Sequence, residues 1–239
     1  MNKQKNAFTL IELLVVVSII ALLVSILIPS IAKAKKQAEA SVCLSNLRQI
    51  GFAANFYAAD NEEFIPRGDW DASGDITWFE LFMPYLGQQD AKASGDYRQV
   101  EIYFCPSYPT TGFGYNGISN AEQTVTYVIN DWNDSNRSPK GPSRISHFRR
   151  LHSDTIYLAD NENGDWRPVA SKFQDVGFRR FDVFRPTHIA SSDVEFSYND
   201  GRRVANDRHR GDGCNILYLD WHADWMLASN MTVRMWMEK

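Results

Sequence analysis

From Phe8 to Ile28 the chain reads FTLIELLVVVSIIALLVSILI, an apolar run broken only by Thr9, Glu12, Ser18 and Ser25. As a helix rising about 1.5 Å per residue it is roughly 30 Å long, the thickness of a bilayer's hydrocarbon core. A buried helix of a globular domain is not normally apolar on every side for about five turns. A secretory signal has a shorter apolar core and then a small-x-small cleavage site. Here the sequence from Ser25 to Ala34 continues without one into Lys33, Lys35 and Lys36. The run therefore predicts a membrane-resident helix. Lys3 and Lys5 precede it and three lysines follow, so lysine counting leaves its orientation open.

Glu12 constrains the run further. A lone carboxylate at the centre of a spanning helix costs about 2.5–3.5 kcal/mol even on the lenient insertion scale, so it requires a partner or the interface. No lysine or arginine lies between Lys5 and Lys33. The partner is then the lipid interface, another subunit, or a newly created N-terminal amine.

The rest of the 239 residues, with 44% hydrophobic and 23% charged residues over the chain, are enough for one globular domain. A formal charge of −4 gives no global basic field, so any nucleic-acid role has to be local. Three cysteines, Cys43, Cys105 and Cys214, are too few for a disulfide scaffold but enough for one bridge in an oxidising compartment.

KNAFTLIELLVVVSIIALLVSILIP strongly resembles the N-terminus of type IV pilins and type II secretion pseudopilins, the prepilin family. The resemblance implies a basic leader, residues 1–7, removed by a prepilin peptidase on the cytoplasmic side between Ala7 and Phe8, with N-methylation of Phe8. Glu12 falls where the family has its glutamate, and Pro29 matches a proline frequent at the end of the apolar segment. The family usually has glycine before the scissile bond, where this chain has Ala7.

The resemblance also implies a topology, with the leader inside and the domain outside. The subunit is then a single-pass inner-membrane protein before assembly, and part of a periplasmic pseudopilus or a cell-surface pilus afterwards. Its expected partners are copies of itself, other pilin-like subunits, the peptidase and an inner-membrane assembly platform. In such a filament the Glu12 carboxylate pairs with the Phe8 amine of a neighbour, which turns a costly charge into a selector for assembly.

Past Pro29, the positions Ile31, Ala34, Ala38, Cys43, Leu47, Ile50, Ala54 and Tyr57 recur on roughly one face, predicting an amphipathic second half of the helix over 29–60. Pro29 itself kinks the helix or removes one hydrogen bond. ADNEEFIP carries the stop signals Asp60, Asn61 and Pro66. Four β-branched and aromatic runs, TVTYVIN (124–130), DTIYLAD (154–160), CNILYLD (214–220) and VRMWM (233–237), predict strands. WFELFMPYLG (78–87) predicts a short amphipathic helix, similar to a segment of major pseudopilins. No strand–helix alternation is present. The expected fold is pilin-like α+β: a long N-terminal α-helix, its first half membrane-spanning over 8–28, packed on a C-terminal antiparallel sheet within a head domain over 61–239.

CLSNLRQIGFAANFYAADNEEFIP and YFCPS resemble pilin-like proteins that often end in a histidine, nine residues, and Asp-Gly. The counterpart here is His209 and, after ten residues, Asp220 and Trp221, read as a hairpin in which His209 and Asp220 meet. A hydrolase reading adds His222 and Asp224 to that pair, but no nucleophile elbow, P-loop, Rossmann glycine fingerprint or HExxH is present. DNENGD offers calcium oxygens at Asp160, Asn161, Glu162, Asn163 and Asp165, as the family's major pseudopilins do in a sheet loop. It lacks EF-hand spacing and its closing glutamate, and reads first as a plain turn. Cys43 is expected either to bridge Cys105, leaving Cys214 free, or to be a small buried thiol.

RISHFRR (144–150), GFRRFDVFR (177–185) and RRVANDRHR (202–210) interleave arginine with aromatics or histidine, which suits phosphate contact and base stacking. Asp182, Asp200, Asp207 and Asp212 oppose that charge. The functional expectation is a structural filament subunit and not an enzyme, with a DNA-uptake or adhesive pilin as the alternative and a membrane-anchored hydrolase behind it.

Overall fold

A computed structural model of the chain describes residues 9–67, 78–87, 100–108, 122–131, 143–162, 169–171, 182–183, 186–193 and 201–237. Its contacts divide the chain into two units, Met1–Ala38 and Glu39–Lys239.

Helix α1 runs unbroken over Leu10–Asp60, through Pro29. Proline at this position cannot donate to the Ser25 carbonyl. Around it the hydroxyls bond backwards along the helix, Ser25 Oγ to the Leu22 carbonyl at 2.7 Å and Ser30 Oγ to the Ile26 carbonyl at 3.2 Å. Throughout the first unit the helix is exposed on every side, including Leu10, Ile19, Ile28 and Ile31. The expected apolar stripe is therefore covered only from Cys43 onward, and Ile31, Ala34 and Ala38 lie outside it.

In the second unit α1 buries Cys43, Asn46, Leu47, Ile50, Gly51, Ala53, Ala54 and Ala58. Small residues dominate this face and let the sheet come close. A Cβ built on Gly51 would lie 2.8 Å from Leu217 Cδ1 and 3.1 Å from the Trp221 carbonyl oxygen. The helix stops where its sequence turns polar: Asn61 Nδ2 donates to the Tyr57 carbonyl at 2.7 Å, and the Glu63 amide donates to Ala58 at 2.9 Å. Glu62 and Glu63 then take positive φ, 53° and 66°, which reverses the chain. Arg144 steadies this turn, holding Glu62 at 3.0 Å and lying over the Phe64 ring.

Strand β1 (Phe64–Ile65) pairs antiparallel with β4 (Ser143–Arg144), and β2 (Glu122–Thr124) with β6 (Val169–Ser171). Helix α2 (Trp78–Phe82) continues as a 3-10 turn over Met83–Leu86 and ends at Gly87 in the left-handed region, φ 71°. The main sheet contains β3 (Tyr127–Asn130), β5 (Ile156–Asp160), β7 (Asp182–Val183), β8 (Gly213–Tyr218) and β9 (Ala223–Leu227), in the order β7-β3-β5-β8-β9. The four strands β3, β5, β8 and β9 are antiparallel, while β7 adds a parallel edge beside β3.

Both faces of the sheet are covered. Tyr127, Ile129, Leu158 and Leu217 point to the α1 and α2 side, where Trp78, Phe79, Phe82 and Tyr103 pack edge to face. Val128, Ile156, Ala159, Cys214 and Ile216 point to the other side, onto Val183, Met231 and Trp236. A register shift against β8 between Ile156 and Leu158 breaks the alternation, so that Tyr157 and Leu158 both join the helix side.

Three expected strands are present, shortened at their ends, as β3, β5 and β8. The fourth, VRMWM, is instead a 3-10 helix over Val233–Trp236. A 3-10 turn eclipses residues three apart, and this one brings Val233 and the fully buried Trp236 together onto the second core. Strand alternation would have sent Trp236 to the face opposite Val233.

Burial sets an alkaline limit on the head. Burial first, then the Asp160 charge, pushes the Tyr127 phenol well above its ordinary value, opposed by Asn46 and Arg208. Burial likewise raises Tyr157, and burial followed by Asp160 raises the Cys214 thiol. All three are neutral in the fold and ionise more readily in the unfolded chain. Their stabilisation is complete below the unfolded values, about 8.5 for a thiol and about 10 for a phenol, and is lost as pH rises from there through the folded values. The urea midpoint, followed by circular dichroism, is therefore expected to fall between about pH 8 and about pH 11.

Candidate functional site

At the start of α1, Thr9 and Glu12 satisfy each other's end of the helix. The Thr9 amide and hydroxyl both donate to Glu12 Oε2, at 2.9 and 2.8 Å, and the Glu12 amide donates back to Thr9 Oγ1 at 3.3 Å. This is a capping box, in which two donors that have no partner within the helix are paired reciprocally. The carboxylate also sits at the positive end of the helix dipole. In the sequence Glu12 reads as a charge that requires the interface or a cation, although the pattern T-x-x-E before an apolar run is legible as a capping box. Ala7 and Phe8 lie outside the described residues.

In the head, Cys43 of α1 and Cys105 form a disulfide with a Cα–Cα separation of 5.0 Å, and Cys214 is a free buried thiol. The Cys105 loop is fixed from several directions. Asn46 Nδ2 donates to the Phe104 carbonyl at 3.2 Å, Ser107 Oγ to Glu39 at 3.4 Å, and the Cys105 amide to Thr126 Oγ1 at 2.7 Å. His209 lies against this bridge, its Nε2 3.5 Å from Cys105 Sγ and 3.1 Å from Asp160 Oδ2. Asp160 Oδ2 also accepts the Asn215 amide at 2.7 Å. Imidazole and carboxylate are both buried. Their placement follows from the strands. Asp160 ends β5, and His209 is held by its amide to the Gly213 carbonyl at 2.9 Å and by Trp225 Nε1 donating to its carbonyl at 3.1 Å.

The expected pairing of His209 with Asp220 does not form. His209 sits at the Gly213 end of β8, and Asp220 lies beyond Tyr218 at the other end, a strand length of roughly 20 Å at about 3.4 Å per residue. Asp220 instead holds the exposed His222 at 2.5 Å, and His222 stacks on Tyr218 with ring centroids 4.1 Å apart. The hydrolase grouping of His209, Asp220, His222 and Asp224 is thus split between the two ends of the hairpin.

Of the calcium candidates, Asp160 faces His209 and Asn215, Asn161 bridges to Val204, and Glu162 is ion-paired with Arg202 at 2.7 Å. Asn163 and Asp165 lie outside the described residues. Four of the described arginines in these stretches turn onto the chain itself. Besides Arg144 and Arg202, Arg208 bonds the Asn161 carbonyl and stacks over Tyr108, and Arg210 stacks over Trp225. Of GFRRFDVFR only Asp182 and Val183 are described.

Comparison with known proteins places weight on the N-terminal segment. The family of the prokaryotic N-terminal methylation motif matches residues 2–28. The type II secretion system core protein G of Pseudomonas aeruginosa is 34% identical over 60 residues, 25% of this chain and 42% of that protein. The type IV wide pilus major component PilA4 of Thermus thermophilus is 37% identical over 62 residues, 26% of this chain and 47% of that protein. The matches thus span less than half the length of these curated relatives. No solved structure matches the chain. The chain thus carries a prepilin-type N-terminal methylation motif, is distantly similar to a type II secretion pseudopilin and to a type IV pilin over its N-terminal quarter, and has a pilin-like α+β fold of long N-terminal helix and antiparallel sheet.

Proposed function

We propose that the chain is a structural, non-enzymatic subunit of a type IV pilus-like or type II secretion pseudopilus filament. Prepilin peptidase cuts it between Ala7 and Phe8, Phe8 is N-methylated, and the trimmed subunit leaves the inner membrane to polymerise with its own kind and with other pilin-like subunits outside the cytoplasm. The observation that carries this reading is the coincidence of the methylation motif over residues 2–28 with a helix whose apolar side chains are exposed on every side. Such a surface is tolerated only in lipid or against other copies of the same helix.

Glu12 then has two roles, which substitution separates. Within the subunit it closes the capping box, a contribution of about 1 kcal/mol. Between subunits it meets the Phe8 amine of a neighbour, a pairing that offsets the roughly 2.5–3.5 kcal/mol cost of the charge in an apolar surround. Glu12→Gln keeps an oxygen for Thr9 and removes the charge, whereas Thr9→Ala removes the box and keeps the charge. Filament yield in the native host, measured by shearing and electron microscopy, is expected to fall at least about tenfold for Glu12→Gln, as expected from the loss of 1.4 kcal/mol or more. For Thr9→Ala it should stay within about threefold. Mass spectrometry of the natural protein should show a chain beginning at methylated Phe8. A chain retaining residues 1–7, or normal polymerisation of Glu12→Gln, would overturn the proposal.

A further inference from the structure

Cys43, Cys105 and His209 place two sulfurs and one imidazole nitrogen within 4.8 Å of one another, all fully or almost fully buried. The Asp160 carboxylate borders this set on the imidazole side, with Oδ2 3.1 Å from Nε2. Asp160 is 0% exposed, and its second oxygen, Oδ1, has no hydrogen-bond partner among the described residues. Desolvating a carboxylate without full pairing is costly, which makes this buried corner of the head electrostatically demanding.

The same imidazole nitrogen, Nε2, approaches both Cys105 Sγ and Asp160 Oδ2. A nucleophilic thiol relay would need the two ring nitrogens divided, one for the carboxylate and one for the sulfur. Convergence on one nitrogen suits a shared centre instead. In a tetrahedral zinc site, with Zn–S about 2.3 Å and Zn–N and Zn–O about 2.0–2.1 Å, neighbouring S and N ligands are about 3.6 Å apart and N and O ligands about 3.4 Å apart. The observed 3.5 Å between Cys105 Sγ and Nε2 falls close to the first edge, and the 3.1 Å to Asp160 is an imidazole–carboxylate contact. The two sulfurs, joined in the disulfide, must part before both can bind.

We propose that in its thiol form the chain binds one zinc ion through Cys43, Cys105 and His209, with the Asp160 carboxylate beside the imidazole, and that closing the Cys43–Cys105 disulfide abolishes the site. The proposal does not depend on the filament reading. The chain is synthesised with thiols, so the site precedes the disulfide, and a dithiol reopens it. The S–S bond takes two electrons and two protons from the dithiol, which leaves as its own disulfide. Each thiol then releases its proton as its sulfur binds the cation, and the imidazole proton moves to Nδ1 so that Nε2 presents its lone pair. Two thiolates with an imidazole favour zinc over the hard cations calcium and magnesium.

Purified full-length chain in detergent micelles, reduced anaerobically with a dithiol that is then removed, provides the test, with cobalt(II) as the probe. One equivalent should produce thiolate-to-cobalt charge-transfer absorption and tetrahedral visible bands, both displaced by zinc. The same preparation left oxidised should show neither. Cys214→Ser should bind as the natural chain does, since Cys214 lies on the opposite face of the sheet. His209→Ala should lose tetrahedral binding, and Asp160→Asn should weaken it about 10–100-fold. Because either substitution also disturbs the core, the cobalt form of the natural chain is read by NMR for a paramagnetically shifted imidazole signal. Equal cobalt binding by reduced and oxidised chains, or a cobalt form without that imidazole signal, would overturn the proposal.

Discussion

Gly213→Ala is expected to destabilise the head domain by at least about 3 kcal/mol, or to prevent its accumulation altogether. An added Cβ would lie 2.1 Å from the Met226 carbonyl oxygen and 2.7 and 2.8 Å from two atoms of the Trp225 ring. Side-chain motion relieves neither contact fully, since the oxygen belongs to the backbone of β9, the strand that Gly213 pairs with. Nor can β8 move away, because it lies between β5 and β9 and its Asn215 amide is bonded to Asp160. The damage would spread to the buried cluster, because the Gly213 carbonyl accepts the His209 amide. Gly211 gives the contrast: its φ is +89° with nothing within 4 Å of an added Cβ, so Gly211→Ala costs only backbone strain, about 1–2 kcal/mol. Urea unfolding of the full chain in micelles, read by circular dichroism, separates the two. A Gly213→Ala loss below about 1 kcal/mol would mean that the strand pair yields more easily than its bonding suggests.

What the sequence discloses about this chain depends on how local the signal is. The membrane-length run, the helix stop at Asp60–Asn61 and the strands β3, β5 and β8 are written in consecutive residues, and the structure places each where its pattern predicts. VRMWM has the composition of a strand, but the second core needed Val233 and Trp236 on one side, and tertiary burial overrode β propensity. The carboxylate beside His209 was not legible at all. Asp160 is brought there by the β5–β8 pairing, whereas Asp220, attractive by its spacing in sequence, is carried away by the length of one strand. The arginines show the same limit: sequence shows the cations, and only the fold shows that Arg144, Arg202, Arg208 and Arg210 are engaged by neighbouring carboxylates, carbonyls and rings.

Removing the Cys43–Cys105 bridge should have the other large effect. It joins residues 62 apart in sequence, and the chain-entropy relation gives about 4 kcal/mol for a loop of that length. That is a large share of the roughly 5–15 kcal/mol of a typical domain. The bridge also fixes α1 to the loop that seats His209. With it gone, that attachment rests on the Asn46–Phe104 and Ser107–Glu39 hydrogen bonds, at 3.2 and 3.4 Å, each contributing only about 1 kcal/mol. The double substitution Cys43→Ala with Cys105→Ala should therefore lower unfolding free energy by about 3–5 kcal/mol. It should do so without a new disulfide, because Cys214 packs in the second core, across the sheet from the bridge. Adding a dithiol should destabilise the natural chain in metal-free buffer and leave the double variant unchanged. Restoration of part of that loss by zinc in the reduced natural chain alone would tie the stability of the head to the same three side chains that hold the metal. A double variant as stable as the natural chain would show that the core alone fixes the helix to the sheet.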